Sequence, residues 1–119
     1  MKRKHTNVYL KKLVEELREK ARSENVKLWA RVANDLEKST RKRRVVNLTR
    51  IEKNVKSGEI ILVPGKVLAG GELDKKVDIA AFNFSESAQK KIKKVNGKCL
   101  TIAELMKNNP KGSKVRIIG

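Results

Sequence analysis

The sequence predicts a mixed α/β fold in one domain, an N-terminal helical pair followed by a stacked succession of short strands and helices. Three observations carry that reading. Apolar residues recur at helical spacing through the first 37 residues. Beyond residue 44 the apolar segments shorten to strand length, and Leu48-Thr49, Phe84-Ser85 and Leu100-Thr101 each join an apolar residue to a hydroxyl residue that opens a short helical pattern. Gly58, Gly97 and Gly112 then mark where those helices end. The spacing of the three units is too uneven for a true solenoid repeat, and a conventional α/β sandwich is the alternative. A chain of 119 residues suits one domain with one core. It divides into a basic arm (residues 1–5), a helical pair (6–37), and a basic junction with the α/β body (38–119).

Met1-Lys2-Arg3-Lys4-His5 is the cationic arm. Thr6 or Asn7 is placed to cap a first helix, with Leu10, Leu13, Val14, Leu17 and Ala21 on one face and charged residues on the other. That helix is expected to end near Arg22-Ser23. Asn25 is read as the cap of a second helix with Trp29, Val32, Ala33 and Leu36 as its apolar stripe, and the short polar turn between them predicts a hairpin.

Val45–Leu48 reads as a buried strand. Thr49-Arg50-Ile51-Glu52 has the form of a capping box, with Ile51 and Val55 inward. Glu59–Val63 is a second strand, which Pro64-Gly65 is expected to terminate. A brief apolar segment, Val67-Leu68-Ala69, precedes the Gly70-Gly71 turn. Lys76–Phe82 is a third strand, and Ser85 caps a helix with Ala88, Ile92 and Val95 inward and Lys90, Lys91, Lys93 and Lys94 outward. A second capping box stands at Thr101-Ile102-Ala103-Glu104. Asn108-Asn109-Pro110-Lys111-Gly112 closes the last helix before a final strand, Val115–Ile118.

Charge defines the partner class. Thirty Lys and Arg face 13 Asp and Glu, for a formal net charge of +17. The excess is +9 in residues 1–44 and +8 in residues 45–119, so the folded body itself is basic. Such a field calls for a polyanion, nucleic acid before an anionic membrane surface. With Tyr9, Trp29, Phe82 and Phe84 as its aromatic residues, the chain has too few rings both to fill a core and to stack splayed bases. Contact with the phosphates of folded, double-helical RNA is favoured instead.

The densest cationic stretch is Lys38-Ser39-Thr40-Arg41-Lys42-Arg43-Arg44. No acid falls between Glu37 and Glu52, and the run passes directly into the strand at Val45. Arginines anchored between folded elements make defined bidentate contacts with phosphate. Arg50 follows on the next helix. Lys66 beside Pro64-Gly65, Lys98, and Lys111 and Lys114 around Gly112 are the supporting candidates, because glycine lets a backbone approach a phosphate closely. The same glycines also serve plain turn geometry. Two helices and a turn permit a DNA-reading unit as the alternative, although Lys27, Arg31, Asn34 and Lys38 on the second helix are diluted by Asp35 and Glu37.

Catalysis finds no support in the residue inventory. Gly65 to Gly71 departs from a phosphate loop, since Gly71 and Glu72 stand where Lys and Ser or Thr belong. His5, the single histidine, lies on the charged arm, and the carboxylates are dispersed. Cys99, the single cysteine, excludes an internal disulfide and reads as a small core residue. No catalytic residue, metal ligand, cofactor or small-molecule substrate is expected. Without a signal-peptide pattern or an apolar run near 18 residues, a cytoplasmic protein is expected.

Taken together, Val46-Asn47-Leu48-Thr49-Arg50-Ile51 behind basic Arg41–Arg43, Gly97-Lys98-Cys99-Leu100-Thr101-Ile102-Ala103-Glu104-Leu105 with the Pro110-Lys111-Gly112 turn, and Tyr9-Leu10 with Leu13-Val14 resemble the large-subunit ribosomal protein family L-eighteen-e in its short archaeal form. The resemblance spans essentially the whole chain. It implies a fold shared with the bacterial-type L-fifteen family, an irregular superhelix of strand-strand-helix turns behind N-terminal helices. It also implies a structural and assembly role on 23S-type rRNA among neighbouring large-subunit proteins. On that reading Arg41, Lys42, Arg43, Arg44 and Arg50 form the grip. Lys2, Arg3, Lys4 and His5 form an arm that orders on RNA, and Lys66, Lys98, Lys111 and Lys114 support.

Overall fold

The computed structural model describes the backbone of residues 2–38 and 45–118, and side chains from residue 8 onward within those segments. Two helices lead. α1 spans Lys2–Glu24 and α2 spans Lys27–Lys38. The first helix therefore begins earlier than expected. Residues 2–5 continue the helix in place of an arm, and Thr6 and Asn7 lie inside it. Asn25 does not cap α2. Its φ of 55° places it in the left-handed region, where it turns the chain at the end of α1. Arg18 ties the hairpin together by donating to Asn34 Oδ1 at 3.1 Å and pairing with Glu37.

The remainder alternates strands and helices: β1 Val45–Asn47, α3 Leu48–Asn54, β2 Ile60–Leu68, β3 Asp78–Phe84, α4 Glu86–Lys94, β4 Cys99–Thr101, α5 Ile102–Asn108 and β5 Val115–Ile117. Every pairing is parallel. β3 runs along one side of β2 and takes β4 on its own far side. The other side of β2 is shared end to end, with β5 pairing Ile60–Leu62 and β1 pairing Lys66–Leu68. This is the mixed α/β architecture that the sequence predicts.

A parallel sheet is covered on both faces, and β2 alternates accordingly. Leu62 and Ala80 join the core made by Leu13, Leu17, Trp29, Val32 and Leu36 of the hairpin and Ile102 and Leu105 of α5. Ile61, Val63 and Ile79 turn to the opposite core, with Leu48 and Ile51 of α3 and Ala88 and Ile92 of α4. Cys99 packs half-buried at the margin of this second core. Burial pushes its thiol above the usual range, against a smaller opposite pull from Lys93. That environment suits an inert packing residue.

Pro64-Gly65 does not end the second strand. Both residues are buried inside β2, where the register against β3 shifts between Val63 and Lys66. The bulge accommodates a proline that lacks a ladder N–H, so the segment 67–69 continues the same strand for its first two residues.

The β2–β3 connection, residues 69–77, is short for a parallel crossover and contains no helix. It is stitched to its neighbours instead. Asn47 Oδ1 accepts from Gly70 N–H at 3.0 Å, while Thr49 N–H and Oγ1 both donate to Gly70 O, at 3.0 and 2.9 Å. Glu52 Oε1 accepts from the N–H groups of Asp74 and Lys75, each at 3.1 Å. Lys91 Nζ donates to Ala69 O at 3.0 Å and Gly71 O at 2.8 Å, so this lysine of α4 is half-buried, and not outward as expected. The expected capping box at Thr49–Glu52 is accordingly absent. Asn47 holds the cap position of α3 without a side-chain cap bond. The other two caps form as read from the sequence. Ser85 Oγ accepts from Ala88 N–H at 3.1 Å, and Thr101 and Glu104 exchange bonds at 3.0 and 2.8 Å.

Candidate nucleic-acid interface

Arg41, Lys42, Arg43 and Arg44 lie outside the described residues, as do the side chains of Lys2, Arg3, Lys4 and His5. The fold nevertheless fixes where these segments are attached. Val45, the first described residue after the basic run, is in register with Lys66, and Lys66 with Asn83 on the next strand. Phe82, just before Asn83, packs against Tyr9 of α1 with ring centroids 5.7 Å apart and planes tilted by 33°. The entry to β1, Lys66 and the Tyr9 turn of α1 are thus linked across β1, β2 and β3. Val8, Tyr9 and Val45 lie on these elements. Among the described residues these are the large apolar side chains left exposed, at 68, 47 and 51%.

Arg50 is exposed in the first turn of α3. Its helix is anchored from below by buried Leu48 and Ile51, and from the side by the Asn47–Thr49 clasp on Gly70. Gly71, at φ 85°, lies so close to Thr49 Oγ1 that a Cβ would collide with it. Close packing within the fold accounts for glycine at this position.

The supporting lysines separate. Lys66 is half-buried on β2. Lys98 is exposed before β4, its backbone N–H donating to Asp78 Oδ1 at 3.1 Å. Lys114, at φ 61°, is exposed before β5. Lys111 is tied to the end of α1, its Nζ 3.0 Å from Glu24 Oε1. The turn that carries it is docked on α2, since Trp29 Nε1 donates to Pro110 O at 2.7 Å and a Cβ on Gly112 would strike Leu28. Of the two roles open to it in sequence, Gly112, at φ 67°, serves the turn and its packing on Leu28, and Gly65 is buried. The sequence brought these lysines into one list; the fold does not bring them to one place.

The carboxylates explain how so many cations stay available. Glu52, Asp78 and Glu104 accept from backbone N–H groups. Glu59 accepts from Lys56 N–H at 2.8 Å and meets Arg116 Nε through both oxygens at 3.0 Å. The Lys56 amide, ahead of Arg116, holds the Glu59 carboxyl below the usual range despite some opposing burial. These four acids are spent on the fold, while others such as Glu15, Glu16, Glu19 and Glu86 stay exposed. Sequence reasoning missed this division because each acceptor's partner depends on tertiary contact, except in the local pairs Thr101–Glu104 and Lys56–Glu59.

On α2, Lys27, Arg31 and Lys38 are exposed. The apolar stripe of α2 is buried, and Asn34 on its exposed side is held by Arg18. No described helix is long and apolar enough to cross a membrane.

Comparison with known proteins agrees with this architecture. Residues 1–119 match the family described as "Ribosomal protein 60S L18 and 50S L18e". The large ribosomal subunit protein eL18 of Methanosphaerula palustris is 50% identical over 115 residues, covering 97% of this chain and 95% of that protein. The eL18 proteins of Methanoregula boonei and Methanococcus maripaludis are 48% and 44% identical over 113 residues, covering 95% of this chain and 93% and 94% of their own lengths. Likeness at this level over nearly the full length of each protein leaves one conclusion: the chain belongs to the L18e family of large-subunit ribosomal proteins.

Proposed function

We propose that the protein is a structural constituent of the archaeal large subunit that binds and stabilises folded 23S-type rRNA, supporting assembly and translation without catalysis. As a member of its family it works in the ribosome, and so in the cytoplasm. The observation that carries the rRNA reading is a linkage across the sheet. The attachment point of Arg41–Arg44, Lys66 and the Tyr9 turn of α1 are joined through Val45, Asn83 and the Tyr9–Phe82 contact. Arginines at that attachment point form charge-assisted bonds to phosphate oxygens. The exposed apolar residues Val8, Tyr9 and Val45 on these elements suit a surface covered in an assembly, by RNA or by neighbouring ribosomal proteins. Recognition is by backbone and shape, since free aromatic platforms are scarce.

The test is binding of the purified protein to deproteinised large-subunit rRNA over a salt series, beside incorporation of the same variants into subunits in cells. Arg41→Ala with Arg43→Ala is expected to lower the log–log salt slope by about 1.5, on the order of 0.7–0.9 per lost phosphate contact. It should also reduce the fraction sedimenting with large subunits while leaving the unfolding transition in place. Normal slope and incorporation in that variant would remove the grip from this stretch. Equal binding to duplex DNA and rRNA would count against a folded-RNA target.

A further inference from the structure

The return from β2 to β3 is nearly as long as its chain allows. Asp78, the first residue of β3, pairs with Ile60, so the segment 69–77 runs back from the level of Leu68 to that of Ile60. That distance is about 26 Å at roughly 3.3 Å per residue. The segment can span about 33 Å at most, which leaves too little slack for a helix. It crosses the α3–α4 side of the sheet as an extended strap, with Leu73 and Val77 buried in the second core.

A strap of this kind has no helix or ladder of its own to take up its backbone groups, so side chains of its neighbours do so. Lys91 of α4 is central among them. Its ammonium donates to Ala69 O at 3.0 Å and to Gly71 O at 2.8 Å, on either side of Gly70. Gly70 in turn holds the start of α3. Its N–H donates to Asn47 Oδ1, and its carbonyl accepts from Thr49 N–H and Oγ1. Arg50 is the next residue of α3. A chain of contacts therefore runs from Lys91 through the 69–71 backbone to Thr49 and Arg50.

Arg50 needs that support. α3 has seven residues, a length that is marginal for a helix on its own, and Asn47 gives it no side-chain cap bond. Lys91 differs from its neighbours on α4. Lys90, Lys93 and Lys94 are exposed, whereas Lys91 is half-buried, with two of its three ammonium donors on carbonyl oxygens and Glu72 Oε1 a further 3.9 Å away. We propose that Lys91 is a positioning residue, which fixes α3 through the 69–71 backbone and so sets where Arg50 meets phosphate. This rests on the rRNA reading above and deepens it at Arg50. The competing role for Lys91 is that of one more surface charge.

Two measurements on the full-length protein test this: amide hydrogen exchange, and affinity for deproteinised large-subunit rRNA in a double-mutant cycle with Arg50→Ala. Lys91→Met keeps the length of the side chain and removes the ammonium. It is expected to speed exchange at Thr49, Gly70, Asp74 and Lys75 by roughly tenfold or more, with Leu62 and Ala80 in the sheet unchanged. Arg50→Ala should weaken binding by the natural protein roughly tenfold, the loss of one charge-assisted bond. On the Lys91→Met background it should weaken binding by less than about threefold, because Arg50 is already displaced there. Lys90→Met removes the same charge from an exposed position, and its effect should simply multiply with that of Arg50→Ala. Thr49→Val breaks the far side of the clasp without a change of charge. It should reproduce both the loss of affinity and the overlap with Arg50→Ala. If the effects of Lys91→Met and Thr49→Val each multiply with that of Arg50→Ala, or if exchange at Thr49 and Gly70 is unchanged in Lys91→Met, Lys91 does not position Arg50, while rRNA binding stands. If Lys91→Met unfolds the sheet, Thr49→Val decides by the same criteria. If the natural protein binds no rRNA, or binds it equally well after Arg50→Ala, the rRNA reading of Arg50 fails and takes the positioning role with it.

Discussion

Glu59 sits at the entrance to β2, where its carboxylate joins Arg116 of β5 to the backbone at Lys56. Because these donors lower its folded pKa, its contribution is present in full above the unfolded carboxylate value and is lost as pH falls through the lower folded value. Glu59→Gln removes the titration. The stability gap between the natural protein and this variant should be constant near neutral pH and should shrink as pH drops below about 4. Denaturant midpoints measured from pH 7 to pH 3 check this, and a gap that stays constant throughout would mean the charge is not what matters. Glu52 shows the limit of reading at this scale. Its spacing from Thr49 has the form of a cap, but its acceptor oxygen serves Asp74 and Lys75 across a loop 22 and 23 residues away. The residues were legible, and their partners were not.

At the scale of elements, the dividing line is the distance over which a signal acts. Ser85 and Thr101 cap their helices as read, because the bonds run to Ala88 and Glu104, three residues ahead. Thr49 looks the same in sequence but turns to Gly70, since the helixless β2–β3 connection needs an anchor there. Proline read as a strand stop failed at Pro64 for a related reason. Whether proline ends a strand depends on the bulge that the neighbouring strand permits. The Thr101 box is therefore the cap to test. Thr101→Ala leaves the Glu104 N–H without its partner and should cost about 1 kcal/mol. An unchanged unfolding midpoint would show that α5 is held by the packing of Ile102, Leu105 and Met106 alone.

Across the whole molecule, the quantity most legible in sequence was the charge, and the least legible was its arrangement. Composition gives +17 and the expectation of a polyanionic partner. Which cations are neighbours emerges only from the strand register: Ile60 pairs with Val115 and Asp78, while Val45 pairs with Lys66, six residues further along β2. The charge also has a consequence for the free protein. Its net charge of +17 means that added salt has more like-charge repulsions to screen than exposed pairs such as Arg18–Glu37 to weaken. Raising sodium chloride from about 10 mM, where the Debye length is about 30 Å, to about 150 mM, where it is about 8 Å, should raise the melting temperature of the free protein. The same change should weaken its binding to rRNA, because the released counter-ions then return to a more concentrated bath. Thermal unfolding and binding measured on one salt series would display the two opposite slopes. A melting temperature that falls with salt would mean that pairs such as Arg116–Glu59 and Lys111–Glu24 outweigh the repulsion, and that the excess cations are spaced widely enough to tolerate one another without a polyanion.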